Sequence, residues 1–431
     1  RYYVVCSHNQ IDTAGQDAIK AGVTDGRGGK GIVYVFAAGN EYTGNAGNEY
    51  TGGGNTNFEG YLNSRYVMTV GAVGVDLLHA SYSSTGASVF VSAPGGDQGD
   101  VRGMVTANPV ASGTSCGDAT VGTSYATPIV SGVAALMLEA NPDLGWRDVQ
   151  GIIATTSKLP DDDGDLPRSV NAAGIGHSYQ YGFGIIDAAA AVAAARTWQN
   201  YYTETVLTAM ASPGLRIADD GAAVTSKISA AADADFEIET VVVVLTIDHP
   251  RRGDLRIVLE RGGVESLLAP DSREDGDGYA DWKYTTVRHW GESANGGGAW
   301  KLKVEDVRAG NGPGTFVSWT LQVHGHPTGC QTYTERFQCK TNACDWKRKQ
   351  GKCKEQPRCA DQKKKKACRK QAGCQWKKGK CAENACADDA SWAHLNKKNK
   401  RITCVNVARN PGRRCGLDGA ADACAKTCGA C

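Results

Sequence analysis

Gly122-Thr-Ser-Tyr-Ala-Thr-Pro128 runs straight into Ile129-Val-Ser-Gly-Val-Ala-Ala-Leu-Met-Leu138. The apolar run, stopped by Asn141-Pro142, predicts a helix over Tyr125–Ala140 with Pro128 in its first turn. Ser124 then stands at the mouth of that helix, where main-chain N–H groups lack partners and the dipole favours negative charge. A nucleophilic hydroxyl placed there puts the oxyanion of a tetrahedral intermediate beside unpaired donors. Serine is also a favoured helix cap, which is the competing explanation for Ser124. The heptad with its small neighbours and its helix is more specific than a cap requires. A similar stretch, Gly113-Thr114-Ser115-Cys116, lacks the Ala-x-Pro continuation and opens no helix.

Outward from that helix, residues 1–197 alternate strands and helices. Gly31-Ile-Val-Tyr-Val-Phe-Ala-Ala-Gly39 is a continuous apolar run between glycines, as a buried parallel strand requires. Tyr66 to Val73 reads as a second strand, and Trp146–Thr155 and Asp187–Arg196 as two more amphipathic helices. The alternation predicts an α/β layer fold. From 205 to 325 the helical period disappears. Runs such as Thr240–Ile247, Leu255–Leu259, Trp300–Val304 and Phe316–Val323, broken by Gly, Asp and Pro, predict an all-β sandwich of about 120 residues.

The remaining residues differ in charge and in cysteine content. From Cys330 to the end, 25 Lys and Arg face 9 Asp and Glu, whereas the rest of the chain carries 22 against 37. A basic tail on an acidic body suits a polyanionic surface, or the body itself; a solvated basic region is the alternative. Nucleic acid is not an expected partner. Fourteen of the 16 cysteines lie in this tail, with only Cys6 and Cys116 before it. So dense a cluster predicts a disulfide framework and an oxidising compartment. Zinc fits poorly, since only His394 accompanies the cysteines and the C-x2-C unit Cys428/Cys431 has no second unit to pair with. Cys330-x8-Cys339-x4-Cys344-x8-Cys353 is echoed by Cys359-x8-Cys368-x5-Cys374-x6-Cys381, each copy with a Trp-Lys pair after its third cysteine, so 330–381 reads as two repeats of a four-cysteine module.

Gly122–Pro128 and its helix resemble the serine signature of the subtilisin-like proteases. Gly22-Val-Thr-Asp-Gly-Arg-Gly-Gly-Lys-Gly31, Phe36-Ala-Ala-Gly-Asn40, Gly60-Tyr-Leu-Asn-Ser-Arg65, Leu138–Asp148 and His177–Gly184 bring the resemblance closer to the kexin and furin group of proprotein convertases. His249-Pro250, Gly253-Asp254-Leu255, Trp290-Gly291-Glu292 and Trp300-x-Leu-x-Val-x-Asp306 are similar to the P domain of that group. The resemblance covers about the first three quarters of the chain. It implies a partial subtilisin-like parallel-sheet domain (1–197), a P-type β-sandwich (205–325) and a disulfide-rich tail. Residues 386–431, with Cys415-x8-Cys424-x3-Cys428-x2-Cys431, resemble a ShK-toxin-like module. That second resemblance implies the pairs Cys386–Cys431, Cys404–Cys424 and Cys415–Cys428, where spacing alone leaves the connectivity open.

The family chemistry is acyl transfer by serine, histidine and aspartate. No His-Gly-Thr motif precedes Ser124, and His8 and His79 are poor candidates for the base. The chain is therefore expected to be a C-terminal part that is inactive alone, from a secreted or secretory-pathway enzyme acting on polypeptide substrates. The competing reading is a decayed protease that serves as a binding scaffold. Asn40 falls where the family places the side-chain amide of its oxyanion hole. A local duplication, Gly39-Asn-Glu-Tyr-Thr-Gly44 and Gly47-Asn-Glu-Tyr-Thr-Gly52, creates a rival at Asn48, which does not directly follow the strand. Glu59 falls where the family has an acid for basic substrates, and Asp12 matches a second such acid. Ser84 stands where the family has a calcium-ligating Glu. Calcium is expected in the full-length enzyme, and the oxygen-rich loops Asp161–Asp165 and Asp271–Asp281 are the places to look, although both also read as solvated turns.

Overall fold

The computed structural model describes residues 8–42, 54–99, 103–107, 116–160, 168–230, 232, 235–272 and 276–328, with short strands beyond 344. It divides into two units, Arg1–Gly329 and Cys330–Cys431.

The first unit begins with α1 (Thr13–Gly29), whose helical conformation breaks at Gly26–Gly28. Strands β1 (Tyr34–Ala37), β2 (Val67–Val73) and β3 (Val89–Pro94) form a parallel sheet in that order. Every residue of β2 is buried, as expected of a strand covered on both faces. After a hairpin of β4 (Met104–Ala107) and β5 (Cys116–Thr120) comes α2 (Thr123–Ala140). It lays Ala126, Val130, Val133, Ala134 and Met137 into the core, a stripe at helical spacing. Helix α3 (Trp146–Thr156), the β6–β7 hairpin (Arg168–Val170, Gly176–Ser178) and α4 (Ala188–Ala195) complete this layer. The helices expected from the sequence and strand β2 are present within one or two residues, β1 is shorter than its apolar run, and α1 carried no such expectation.

Two antiparallel sheets follow. One orders β10 (Val224–Ile228), β15 (Trp300–Asp306), β12 (Leu255–Arg261) and β13 (Val264–Ala269). The other orders β14 (Tyr279–Thr286), β11 (Phe236–Asp248), β16 (Gly314–Pro327) and β8 (Thr205–Ala211), with β9 (Leu215–Ile217) also on β16. Their inward residues, among them Ile238, Leu245, Leu259, Trp300, Leu302, Trp319 and Leu321, share one apolar core, as a sandwich demands.

The sandwich is keyed into the α/β layer. Trp290, 1% exposed, leaves the sandwich and joins the α/β core edge-on to Phe90 and Phe183. Asn57 exchanges hydrogen bonds with the main chain of Thr285: Nδ2 donates to the carbonyl at 3.1 Å and Oδ1 accepts from the amide at 2.9 Å. Trp282 Nε1 donates to the Asn57 carbonyl at 3.2 Å, and Asn63 Nδ2 donates to the Lys283 carbonyl at 2.7 Å. Arg147 forks onto the buried Glu239, which His326 also contacts; Arg65 pairs with Glu204. Burial alone would raise the Glu239 carboxyl, but Arg147 and His326 hold it down at about 2.

In the second unit, hairpins pair β17 (Asp345–Lys347) with β18 (Lys352–Lys354), β19 (Cys374–Lys377) with β20 (Lys380–Glu383), and β21 (Ala393–Leu395) with β22 (Arg401–Thr403). The first two carry the Trp-Lys pairs of the two repeats. The disulfides, and the ShK-like module apart from β21 and β22, lie outside the described residues.

Two outcomes are expected. Asn57→Ala strands the Thr285 amide and carbonyl in a dry interface and should lower unfolding stability by about 2–4 kcal/mol; an unchanged urea midpoint would overturn the keying role. The His177 imidazole is pushed down to about 3 by burial and by Arg288. The folded state thus keeps it neutral, and its contribution is lost as pH falls from about 6.5 towards 3, by about 1.4 kcal/mol per pH unit. Urea titrations across that range should show the slope in the wild type and a shallower one in His177→Gln.

Candidate active site

Strand β1 ends at Ala37, and the chain turns sharply at Gly39, with φ 103°. A Cβ there would lie 2.4 Å from Glu41 Oε2, so only glycine brings Asn40 to this position. Asn40 Oδ1 accepts from the Thr123 amide and from Thr123 Oγ1, both at 2.9 Å. An amide donor facing it fixes which end of the Asn40 side chain is oxygen, so Nδ2 is the end left over. No partner to Nδ2 exists among the described residues, and Asn40 is exposed.

Thr123 is the first residue of α2. The preceding Gly122 has φ 153° and ψ 152°, a region open in practice only to glycine, and offers no side-chain cap. Asn40 caps the helix from another element instead. This is why α2 begins two residues earlier than the sequence suggests: Ser124 is its second residue, and Pro128 lies in the second turn instead of the first. Pro128 has no N–H to give to the Ser124 carbonyl, four residues back. The Ser124 side chain is exposed, and its hydroxyl has no hydrogen-bond partner among the described residues. Tyr125 OH accepts from Thr120 Oγ1 at 2.8 Å, tying the helix start to β5.

Glu59 sits on the loop keyed by Asn57 and Asn63. Its neighbours pair with the stretch around Asn9: the Asn9 amide donates to the Phe58 carbonyl at 2.9 Å, and the Gly60 amide to the Asn9 carbonyl at 2.7 Å. Asn9 Nδ2 donates to Glu59 Oε2 at 3.0 Å. Burial raises the Glu59 carboxyl; the Asn9 bond opposes this, and the charge of Glu41 adds to it. Glu59 and Glu41 therefore lie within each other's field. Asp12 caps α1, accepting from the Gly15 amide at 2.6 Å, with its second oxygen left over. Its main chain continues the Asn9 stretch beside Glu59–Tyr61. Asn9, Glu41, Asn57 and Thr123 were not singled out by sequence; only Thr123, inside the Gly122–Pro128 motif, had a signal that could have found it.

His8 and His79 are both packed among aromatic rings. His8 is wedged against Phe58, Trp282 and Tyr279, with ring centroids at 4.3, 4.7 and 5.2 Å, and burial lowers it to about 3. His79 lies edge-on to Tyr42 and Tyr181. Ser84 is buried, and its hydroxyl donates to Glu41 Oε2 at 3.3 Å. Asp161–Asp165, Asn48 and Ser115 lie outside the described residues. Of the other acidic loop, Asp271 pairs with Arg308 at 2.7 Å and Asp281 accepts from Thr246 at 3.0 Å. Among the described residues no three acidic, His or Cys side chains converge on a cation position.

Comparison with known proteins now bears on this geometry. Residues 7–184 match the model of the subtilase family, and residues 238–323 that of the proprotein convertase P-domain. Kexin of Saccharomyces cerevisiae is 35% identical over 72% of the chain and 37% of its own length. Proprotein convertase subtilisin/kexin type 7 of Mus musculus is 36% identical over 72% of the chain and 40% of its length. The chain thus spans about two fifths of these curated relatives. Among solved structures, the serine protease of Aeromonas sobria superposes with a TM-score of 0.65 at 26% identity, covering 74% of the chain and 69% of that protein.

Asn9→Ala removes the bond that opposes the upward push on Glu59, so its carboxyl should titrate at higher pH than in the wild type. Carbon-13 NMR of the side-chain carboxyls checks this, and an unmoved midpoint would refute the Asn9 contribution.

Proposed function

Because the chain belongs to the kexin-like proprotein convertases among the subtilisin-like serine proteases, we propose that it carries the nucleophile and oxyanion hole of a serine endopeptidase that cuts proproteins after basic residues. One observation carries this reading. The Asn40 side chain is oriented by the α2 N-terminus, so that its amide points away from Thr123 beside an exposed Ser124. In the reaction, Ser124 Oγ attacks the scissile carbonyl, and its proton passes to the triad histidine. The carbonyl oxygen, now negative, accepts from Asn40 Nδ2 and from the main-chain donors at the helix mouth. Collapse expels the amine and leaves the acyl group on Ser124, which water then releases. The triad aspartate and histidine are assigned to parts of the full-length protein outside the described residues, and residues 8–328 alone are expected to be inactive.

Glu59 is assigned to the pocket for the residue before the cut, with Asp12 as a second, more distant acid. In this reading residues 1–197 are the C-terminal part of the peptidase domain and 205–325 the P-type sandwich. Residues 330–381 are then two four-cysteine repeats and 386–431 a ShK-like module, placing the protein in the secretory pathway or outside the cell. The excess of lysine and arginine after Cys330 supports a polyanionic contact for the tail. Calcium belongs to the full-length enzyme in this reading, and no catalytic step is routed through it. Among the described residues no helix is long and apolar enough to cross a membrane.

In full-length protein, an active-site-directed fluorophosphonate should label Ser124 and no other serine; mass spectrometry finding label at Ser115, or none in folded enzyme, would sink the nucleophile assignment. Asn40→Ala should lower kcat about 100–1,000-fold with little change in KM, whereas Asn48→Ala should be nearly neutral. Glu59→Gln should weaken cleavage after Arg by about 1.5–3 kcal/mol, the worth of a hydrogen bond to a charged group, relative to cleavage after an apolar residue. Fluorogenic peptides varied only at that residue measure it, and equal wild-type cleavage after Leu and Arg would refute basic specificity.

A further inference from the structure

We propose that Glu41 is a positioning residue for the oxyanion hole: its carboxylate fixes the main chain of Asn40 and so aims the Asn40 amide. The proposal rests on the reading of Ser124 and Asn40 given above. Glu41 Oε2 accepts from the Asn40 amide at 2.7 Å and from the Ser84 hydroxyl at 3.3 Å. Ser84 closes the loop from below: its own amide donates to the Gly39 carbonyl at 3.0 Å, and its hydroxyl accepts from the Glu41 amide at 3.4 Å. Two glycines make room. A Cβ on Gly39 would lie 2.4 Å from Glu41 Oε2, and one on Gly54 would lie 2.7 Å from Ser84 Oγ.

Asn40 is thereby held at two points that move independently. Thr123 fixes its side-chain oxygen, and Glu41 fixes its main-chain nitrogen. With only the first, the amide could still rotate with the backbone of the exposed turn that follows β1. Misplacement of such a donor by a fraction of a bond length erodes transition-state stabilisation and leaves substrate binding almost intact.

The same carboxylate is electrostatically awkward, because a negative charge beside an oxyanion donor opposes the charge that develops there. Two hydrogen bonds to Oε2 offset this. The second consequence of the charge falls on Glu59, which Glu41 pushes upward. Glu41 therefore makes two separable contributions: a hydrogen-bond acceptor for Asn40 and a charge felt by Glu59. Glutamine keeps the acceptor and removes the charge, while alanine removes both.

The experiment is steady-state kinetics of full-length enzyme on a peptide with Arg before the cut, for wild type, Glu41→Ala and Glu41→Gln, across pH 5–9. Glu41→Ala should lose about 10–100-fold in kcat with KM within about twofold, and Glu41→Gln should recover most of that loss. Should Glu41→Ala not fold, Ser84→Ala, which removes one bond to the carboxylate, should still cost several-fold in kcat. Wild-type kcat in Glu41→Ala, or an equal loss in Glu41→Gln, overturns the proposal while leaving Ser124 and Asn40 in place. A wild-type enzyme that neither turns over nor labels at Ser124 overturns both readings.

Discussion

Asn57 is fully buried between the two layers of the first unit, and its amide can be satisfied there only by the main chain of Thr285. An unpaired amide in such a place costs as much as a missing core side chain, so the pairing is close to obligatory. Its consequence is directional. Asn57 lies two residues before Glu59, and Asn63, four residues after it, is held by the Lys283 carbonyl. The loop that presents the candidate specificity acid is thus anchored at both ends by the β-sandwich, in addition to the bond from Thr69 of β2 to the Leu62 carbonyl. The sandwich does more than cover apolar surface; it sets the wall of the site.

A second shared group works on the opposite wall. A helix beginning at a glycine has no side chain to satisfy its first amides, yet a nucleophile at that position needs some of those amides free. Asn40 resolves the conflict by capping Thr123 from β1 with its oxygen only, which turns its nitrogen outwards. One side chain thereby completes the helix and supplies a donor. The geometry is local to the junction of β1 and α2, and β1 is itself held by β2: Tyr34 lies beside Val67 and Ala37 beside Val70, and the Ala38 amide reaches the Val70 carbonyl at 2.9 Å.

What was legible in the sequence follows from the range of the interactions. Helix α2, strands β1 and β2 and the long strands of the sandwich carry their own periodicity, so they were read as elements, while the ends of β1, β11 and β16 differ by more than two residues. Ser124 and Asn40 were singled out because the motifs around them are contiguous. The start of α2 was misjudged because its cap comes from 83 positions away. Helix α1 is rich in glycine and has a weak apolar stripe, with only Ile19 and Val23 buried, so little marks it. Asn57, Asn9 and Glu41 act through partners remote in sequence or through their own main chain, and composition reads them as ordinary loop residues.

The acids of the proposed pocket and the oxyanion donors make opposite demands on the same small volume. Two like charges about 10 Å apart at an effective dielectric of about 20 repel by about 1.7 kcal/mol, which is more than a tenfold effect on a rate. With the pocket empty, or filled by an apolar side chain, Glu59 and Glu41 would oppose the negative tetrahedral intermediate. A guanidinium or ammonium group bound between them and the carbonyl cancels that field and replaces repulsion by attraction. In the proposed reading, then, the basic residue does not merely tighten binding. It removes a penalty that is felt most in the transition state, so selectivity should be expressed in kcat as well as in KM.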